Sequence, residues 1–336
     1  MTVSVIIPCL NEKNYISKCL ESIISCDYPK NDLTVYICDG MSTDGTREII
    51  EHYGKTNNFI HLLNNTEKTT PFALNIGIKK STAEIKIILG AHSEIYPDFI
   101  DECIHAFKID PSIGCVGGVI ENKFNDAKSE AISGAMASVF GVGSAHFRTG
   151  AKEGFVDTVA FGAYRQEVFE KIGYFDEELT RNQDDEFNYR VIKAGFKIYL
   201  SKRIRSKYYV RARFKKLFKQ YYQYGYWKVY VNTKHQTITT SRQLIPAAFV
   251  LYILLCLLIL LIETQMGIYL SVVLLFYLGL AIFSAWRISM AIGKIPLIIY
   301  SFIILHLSYG IGYLEGVFNF LIIKIKPTRR LQKSSR

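Results

Sequence analysis

With 336 residues, 49% of them hydrophobic and only 21% charged, the chain can bury one large core or two modest ones and is too apolar to be disordered. Its formal charge of +10 is uneven, because after residue 242 eight Lys and Arg stand against two Glu beside long apolar runs. That distribution excludes a purely soluble protein, and it argues against a nucleic-acid partner, since the polar part has no sustained basic helix interleaved with base-stacking aromatic residues.

In chain order, short β-branched runs at 3–7, 33–38 and 85–89 alternate with segments whose apolar residues have helical spacing: Ile16, Cys19, Leu20 and Ile23, then Ile49, Ile50 and Tyr53. This alternation predicts an α/β fold with a mostly parallel sheet, in which ligands sit outside the carboxyl ends of strands. Three loops occupy those ends: Pro8 to Glu12, Asp39 to Gly45, and Gly90 to Glu94. A helical stretch is expected from Pro97 to Lys108 and a strand from Cys115 to Ile120. Residues 129–155, with Gly134, Gly141, Gly143 and Gly150, read as a helix running into a mobile loop. Gly141-Val142-Gly143 has no strand before it and no third glycine at the required spacing, so it is a poor dinucleotide fingerprint. The seven cysteines contain no C-x-x-C pair and read as reduced core residues of a cytosolic domain. The strand at 3–7 leaves no apolar region for a secretory signal before it.

Nine Lys and Arg without an acid fall between Lys202 and Lys219. They suit either an anionic membrane surface or phosphate, or a solvated helix face. From Leu244 the chain changes character. Segments 244–262, 266–286 and 295–323 are each long enough to cross a hydrocarbon core, and the third contains a single acid, Glu315. The turn at 263–265 lacks cations while Arg242, Arg287 and Lys294 flank the hairpin, which puts the polar domain in the cytoplasm. A third crossing would export Lys324, Lys326, Arg329, Arg330, Lys333 and Arg336. A re-entrant or interfacial path broken near Gly310, Gly312 and Gly316 would keep them inside, and is favoured. The expected division is 1–235 for the cytoplasmic domain and 236–336 for the membrane domain.

Chemistry is sought in the loops. Asn11 and Glu12 open a helix and either cap it or face a ligand. Asp39 stands at a strand end before glycines, where a carboxylate can accept from a nucleobase or ribose, or can serve a turn. Asp184, Asp185 and Glu186 lie ahead of a helix. They favour its dipole, or Asp184 or Asp185 pairs with Arg190, or the carboxylates crowd one another until one pKa rises and suits a proton acceptor.

The strings VSVIIPCLNE, ICDGMSTDGTREI, ALNIGIKKS, FGAYRQEVFEKIGYFDEEL, NQDDEFNYRVIKAGFKIYLS and QYYQYGYWKV span residues 3–231. Taken together they resemble inverting glycosyltransferases of family 2, with the GT-A fold, and look like the ExoA-type succinoglycan biosynthesis glucosyltransferases. The resemblance implies that Pro8, Asn11 and Glu12 line a nucleotide pocket, Asp39 binds uracil and Asn75 stands near the donor phosphates. It makes Asp184, with Asp185 beside it, the general base, Gln183 replacing the Glu of the family's Glu-Asp pair. Phe161-Gly162-Ala163 would shape the acceptor side, and Gln223 with Trp227 occupy Q-x-x-R-W positions whose Arg is replaced by Tyr226. The family's metal-binding D-x-D reads Gly90-Ala91-His92. His92 with Glu94 would then hold Mn²⁺ or Mg²⁺, or His92 is an ordinary loop histidine.

The implied function is transfer of a hexose, glucose in the first instance, from a UDP-sugar to a lipid-linked saccharide. The setting is a multi-pass protein of the inner (plasma) membrane in exopolysaccharide or cell-surface polysaccharide synthesis, with a polysaccharide assembly complex as a further partner. The alternative is a nucleotide-sugar-binding scaffold without transfer activity.

Overall fold

The computed structural model describes residues 1–124, 126–143, 145–209 and 213–327, apart from the side chain of Met266. In chain order the elements are β1 (Val3–Cys9), α1 (Ile16–Ile24), β2 (Leu33–Asp39), α2 (Thr46–Thr56), β3 (Ile60–Asn64), α3 (Thr70–Lys80), β4 (Ile85–Ile88), β5 (Ser93–Ile95), α4 (Phe99–Phe107) and β6 (Ile113–Lys123). Then come α5 (Ala127–Met136), α6 (Val139–Val142), α7 (His146–Thr149), β7 (Gly154–Val156), β8 (Ala160–Arg165), α8 (Gln166–Ile172), α9 (Gln183–Lys193) and β9 (Lys197–Tyr209). The last helices are α10 (Phe214–His235), α11 (Leu244–Leu260), α12 (Met266–Ile288) and α13 (Ile295–Gly316). Packing divides the chain into two compact units, one of residues 1–122 with 146–209, the other of 123–145 with the chain from 210 onward.

In the first unit, nine strands among the described residues form one sheet in the order β3-β2-β1-β4-β8-β6-β9-β5, with β7 on β9. β1, β2, β3 and β4 are parallel, but β8 runs antiparallel to β4 and β6, and β5 and β7 run antiparallel to β9, so the sheet is mixed rather than mostly parallel. Because side chains alternate across a strand, Val3, Val5 and Ile7 join one apolar cluster, with Ile16, Cys19, Leu20 and Ile23 of α1, and Ile6 joins the cluster on the other face. Burial on both faces explains why these strands are continuous apolar runs. The register sets Cys9 beside Asp39 and Ile6 beside Ile88, so the carboxyl ends of β1, β2 and β4 share one edge of the sheet. All seven cysteines are buried and unbridged.

The cations at 202–207 belong to a 13-residue strand, β9, rather than to a helix face. Lys215, Lys216 and Lys219 lie on α10, and Arg211 is outside the described residues.

Among the described residues of the second unit, three helices are long and apolar enough to cross a membrane: Ser241–Leu260, Gly267–Ile288 and Ile292–Ile322. The third continues through Gly310, Gly312 and Gly316 and ends in a π-helical stretch, Val317–Ile322, so the expected break does not occur. The glycines serve close approach instead. A Cβ on Gly312 would lie 2.0 Å from the carbonyl oxygen of Tyr222 in α10, and one on Gly310 would lie 2.4 Å from that of Pro246 in α11. Arg329, Arg330, Lys333 and Arg336 are outside the described residues.

Candidate active site

The loops after β1 and β2 are stitched to each other. Asn11 donates its backbone N–H to Ser42 Oγ at 2.8 Å and accepts the N–H of Thr43 on Oδ1 at 3.0 Å. The backbone N–H groups of Glu12 and Lys13 reach Thr46 Oγ1 at 3.0 Å and Asp44 Oδ2 at 3.2 Å. Asp39, fully buried, accepts from the Ser42 N–H at 2.9 Å and from Ser42 Oγ at 2.5 Å. Its charge is met by Arg47 Nη1 at 2.7 Å, and Arg47 Nη2 continues to Asn64 Oδ1 at 2.9 Å. Arg47 and Ser42 were missed as site residues, although the DGMSTDGTREI string contains both. Pro8, half-buried, pairs in register with Cys38 where the strand ends.

At the end of β4, His92 Nδ1 is buried without a hydrogen bond and lies 3.5 Å from Glu12 Oε1. Glu94 is engaged elsewhere: its carboxylate takes the Tyr209 hydroxyl and pairs with Lys207 at 3.3 Å. A Cβ on Gly90 would stand 3.2 Å from Phe161 Cε1, so an aromatic ring occupies the space into which the first acid of a D-x-D would project. Among the described residues no group of three or more His, Cys, Asp and Glu could hold a metal ion. The donor set therefore does not fit a metal held by protein ligands alone.

Helix α9 carries the third part. Glu186, on its first turn, is buried and pairs with Arg190. Asn188, also buried, donates to Thr158 Oγ1 at 2.9 Å and accepts the Tyr164 hydroxyl at 2.9 Å. These bonds tie α9 to β8, whose beginning runs beside the end of β4. Asp184 lies four residues before Asn188 and so on the same helix face. The residue as a whole is exposed at the helix start. Loss of hydration and then the neighbouring charge of Asp185 raise its pKa above the ordinary carboxylate value.

Asn11 and Met41 in these loops, Phe161 in β8 and Asn182 at the start of α9 have φ of 55°, 60°, 49° and 61°, a left-handed conformation costly for a side chain as bulky as Phe161. Asn75 is committed to the fold: its Nδ2 donates to the Phe175 carbonyl at 2.9 Å and Glu177 Oε1 at 2.8 Å, while Oδ1 accepts the Phe175 N–H at 3.0 Å. Gln223 and Trp227 belong to the second unit and are buried there, the Trp227 ring among Tyr226, Tyr230 and Phe320.

Residues 4–173 match the profile of the family described as Glycosyl transferase family 2. The sequence is 38% identical over 231 residues, 66% of this chain and 71% of the relative, to the dolichyl N-acetyl-alpha-D-glucosaminyl phosphate 3-beta-D-2,3-diacetamido-2,3-dideoxy-beta-D-glucuronosyltransferase of Methanococcus voltae. It is 30% identical over 246 residues, 73% of this chain and 74% of the relative, to the succinoglycan biosynthesis protein ExoA of Rhizobium meliloti (strain 1021). The fold is similar to that of the mannosyltransferase PcManGT from Pyrobaculum calidifontis in complex with GDP-Man and Mn2+, with TM-score 0.59, 16% identity, and coverage of 94% of this chain and 87% of that one. It is also similar to S. aureus TarS 1-349 in complex with UDP, with TM-score 0.50, 15% identity, and coverage of 94% and 91%. The mixed sheet is thus that of GT-A transferases.

Proposed function

Since the chain belongs to glycosyl transferase family 2, we propose that it is a membrane-anchored inverting transferase that moves a hexose-type sugar from a UDP-sugar to a lipid-linked saccharide. The observation that carries this reading is Asp184, an exposed acid on the first turn of α9, a helix bonded through Asn188 to Tyr164 of β8, the strand that pairs with β4. Asp184 takes the proton of an acceptor hydroxyl, and the freed oxygen attacks the anomeric carbon opposite the departing nucleoside diphosphate, so one displacement inverts the configuration. Its raised pKa favours this role by making it a stronger base than an ordinary aspartate.

The donor side is assigned to Pro8, Asn11, Glu12 and Asp39. The ties between the first two loops hold Asn11 and the Glu12 backbone ready before a nucleotide arrives, which lowers the ordering cost of binding. UDP is favoured by the UDP complex of TarS, and a lipid-phosphate acceptor by the name of the Methanococcus relative. With three helices of spanning length, the chain meets such an acceptor at a membrane surface, the first unit lying on the cytoplasmic side of the plasma membrane.

The test is a panel of UDP-sugars offered to membranes from expressing cells. Transfer to a lipid-extractable product is expected for the parent, with loss of about 10²- to 10⁴-fold in Asp184→Asn at unchanged UDP affinity. Equal, zero transfer by parent and variant with UDP binding intact would instead identify a nucleotide-sugar-binding scaffold.

A further inference from the structure

We propose that α10 and α13 lie side by side along the cytoplasmic surface of the membrane, and that α11 and α12 alone cross it. The docking surface is the outward stripe of α13, and its partner is the headgroup layer of a phospholipid bilayer. The inference deepens the membrane anchoring in the proposed function and rests on it. It gives the third apolar segment an interfacial path that needs no break at its glycines.

Helix α13 has the length and apolarity of a span, but α10 runs with it. The Phe214 and Tyr300 rings meet at 4.8 Å, and Tyr222 bonds Glu315 through its hydroxyl while its carbonyl oxygen faces Gly312. Further along, Asn319 Nδ2 donates to the Tyr226 hydroxyl at 3.2 Å, and the Tyr230 and Phe320 rings meet at 5.1 Å. From Phe214 to Tyr230 the two helices therefore run in the same direction over roughly 24 Å, most of the thickness of a hydrocarbon core. Any path that carries α13 through the bilayer carries α10 through it too. That helix is none of the three of spanning character, and it exposes Lys215, Lys216, Lys219 and Lys234. Cations on a helix in hydrocarbon are costly, whereas in the headgroup layer they are attracted to anionic lipid.

The hairpin points the same way. Helix α13 meets it between its middle and its open end: His306 Nδ1 is 2.8 Å from the Tyr277 hydroxyl, Ile298 and Phe302 share a cluster with Ala281 and Ala285, and a Cβ on Gly310 would crowd Pro246 and Val250. Toward the turn Leu257, Leu261, Ile268 and Val272 are exposed, which suits two helices entering lipid on their own. In α13 itself Tyr300, Ile303, Leu307, Ile311 and Phe318 follow one another at helical spacing and are exposed or half-buried, while Phe302, Leu305 and Gly312 are buried. One apolar face toward lipid, with the other face covered by a polar partner, is the pattern of a helix lying in an interface. At the start of α13, Lys294 pairs with Glu130 of α5 at 2.7 Å, both a third exposed, which keeps that end in the polar layer.

The experiment adds one cysteine at a time to the full chain, whose native cysteines are all buried, and treats sealed right-side-out vesicles with a membrane-impermeant maleimide before and after permeabilisation. Three exposed sites are compared: Thr264→Cys in the hairpin turn, Thr237→Cys ahead of α11 and Lys326→Cys beyond α13. Thr264→Cys is expected to react in sealed vesicles, the other two only after permeabilisation. Lys326→Cys reacting in sealed vesicles would show a third crossing and overturn the proposal. Depth is read from an environment-sensitive fluorophore on Leu307→Cys, in vesicles of phosphatidylcholine with phosphatidylglycerol. Lipid brominated near the headgroup is expected to quench it more strongly than lipid brominated near the chain ends. Equal or reversed quenching, the mark of a helix that dips into the core, would overturn the proposal as well. Neither readout requires transfer, so both separate from the Asp184→Asn assay. Failure of Thr264→Cys to react in sealed vesicles would refute the anchoring itself, and the inference with it.

Discussion

Arg190 closes on Glu186, four residues earlier in α9, with Nε to Oε1 at 2.7 Å and Nη2 to Oε2 at 2.9 Å. Nη1 and Nη2 also donate to the carbonyl oxygens of Ile172 and Tyr174 respectively, both at 2.7 Å. The ion pair that residue spacing left open to Asp184 or Asp185 is thus made by the third acid of the run. Asp184 remains exposed to solvent at the helix start, with its pKa raised.

That raised pKa has a signed consequence for a general base. Transfer is lost as pH falls through the pKa of Asp184, because the protonated acid cannot accept the acceptor's proton. Asp185→Asn removes the neighbouring negative charge that helps to hold that pKa up, so the acid limb of the pH–rate profile is expected to move to lower pH. Rates at saturating donor across the acidic range check this. An upward move would refute the role of Asp185.

The Arg47–Asp39 pair makes a stability prediction. Arg47→Gln leaves a fully buried carboxylate facing Ser42 without its counter-charge, at a cost of about 3 kcal/mol. For a unit of this size that corresponds to a fall in melting temperature of roughly 6–12 °C. Adding Asp39→Asn should return part of the loss by removing the stranded charge. Thermal unfolding of the purified full chain measures both variants, and a double variant less stable than Arg47→Gln alone would contradict the account.

Glu94 tests the metal assignment made from sequence. Because its carboxylate is engaged by Tyr209 and Lys207, Glu94→Gln is expected to cost about 1 kcal/mol of stability and to leave the midpoint of any Mn²⁺ activation unchanged. A tenfold rise in that midpoint would show the carboxylate to be a ligand after all.

In the second unit, Gly312→Leu would drive a side chain into the backbone of α10, since even a Cβ would come within 2.0 Å of the Tyr222 carbonyl oxygen. The expected result is a loss of about 3 kcal/mol or more, read as aggregation or as lowered melting in detergent. Gly279→Leu is the control, because nothing lies within 4 Å of a Cβ there, and it should behave like the parent.

Much of this molecule is local and therefore legible. Apolar spacing in 16–23 marks a helix with one buried face, and the β-branched runs at 3–7 and 33–38 are strands because both faces are covered. The three membrane-length segments announce themselves because a bilayer demands length and apolarity, and neither depends on a partner. By contrast β9, KIYLSKRIRSKYY, mixes cations into a strand and shows no clean period, so only its sheet neighbours reveal it.

Composition and periodicity by themselves determined the alternating sheet, the loops that carry chemistry and the apolar carboxyl-terminal third, since each is written within a few turns of chain. Tertiary structure alone decided that Asn75 clamps Phe175, that Glu94 turns to Tyr209 and that Gly312 admits α10. The reason is physical: a side chain's period fixes the face on which it lies, but its hydrogen-bonding or charge partner comes from another part of the chain, and only folding brings the two within 3 Å.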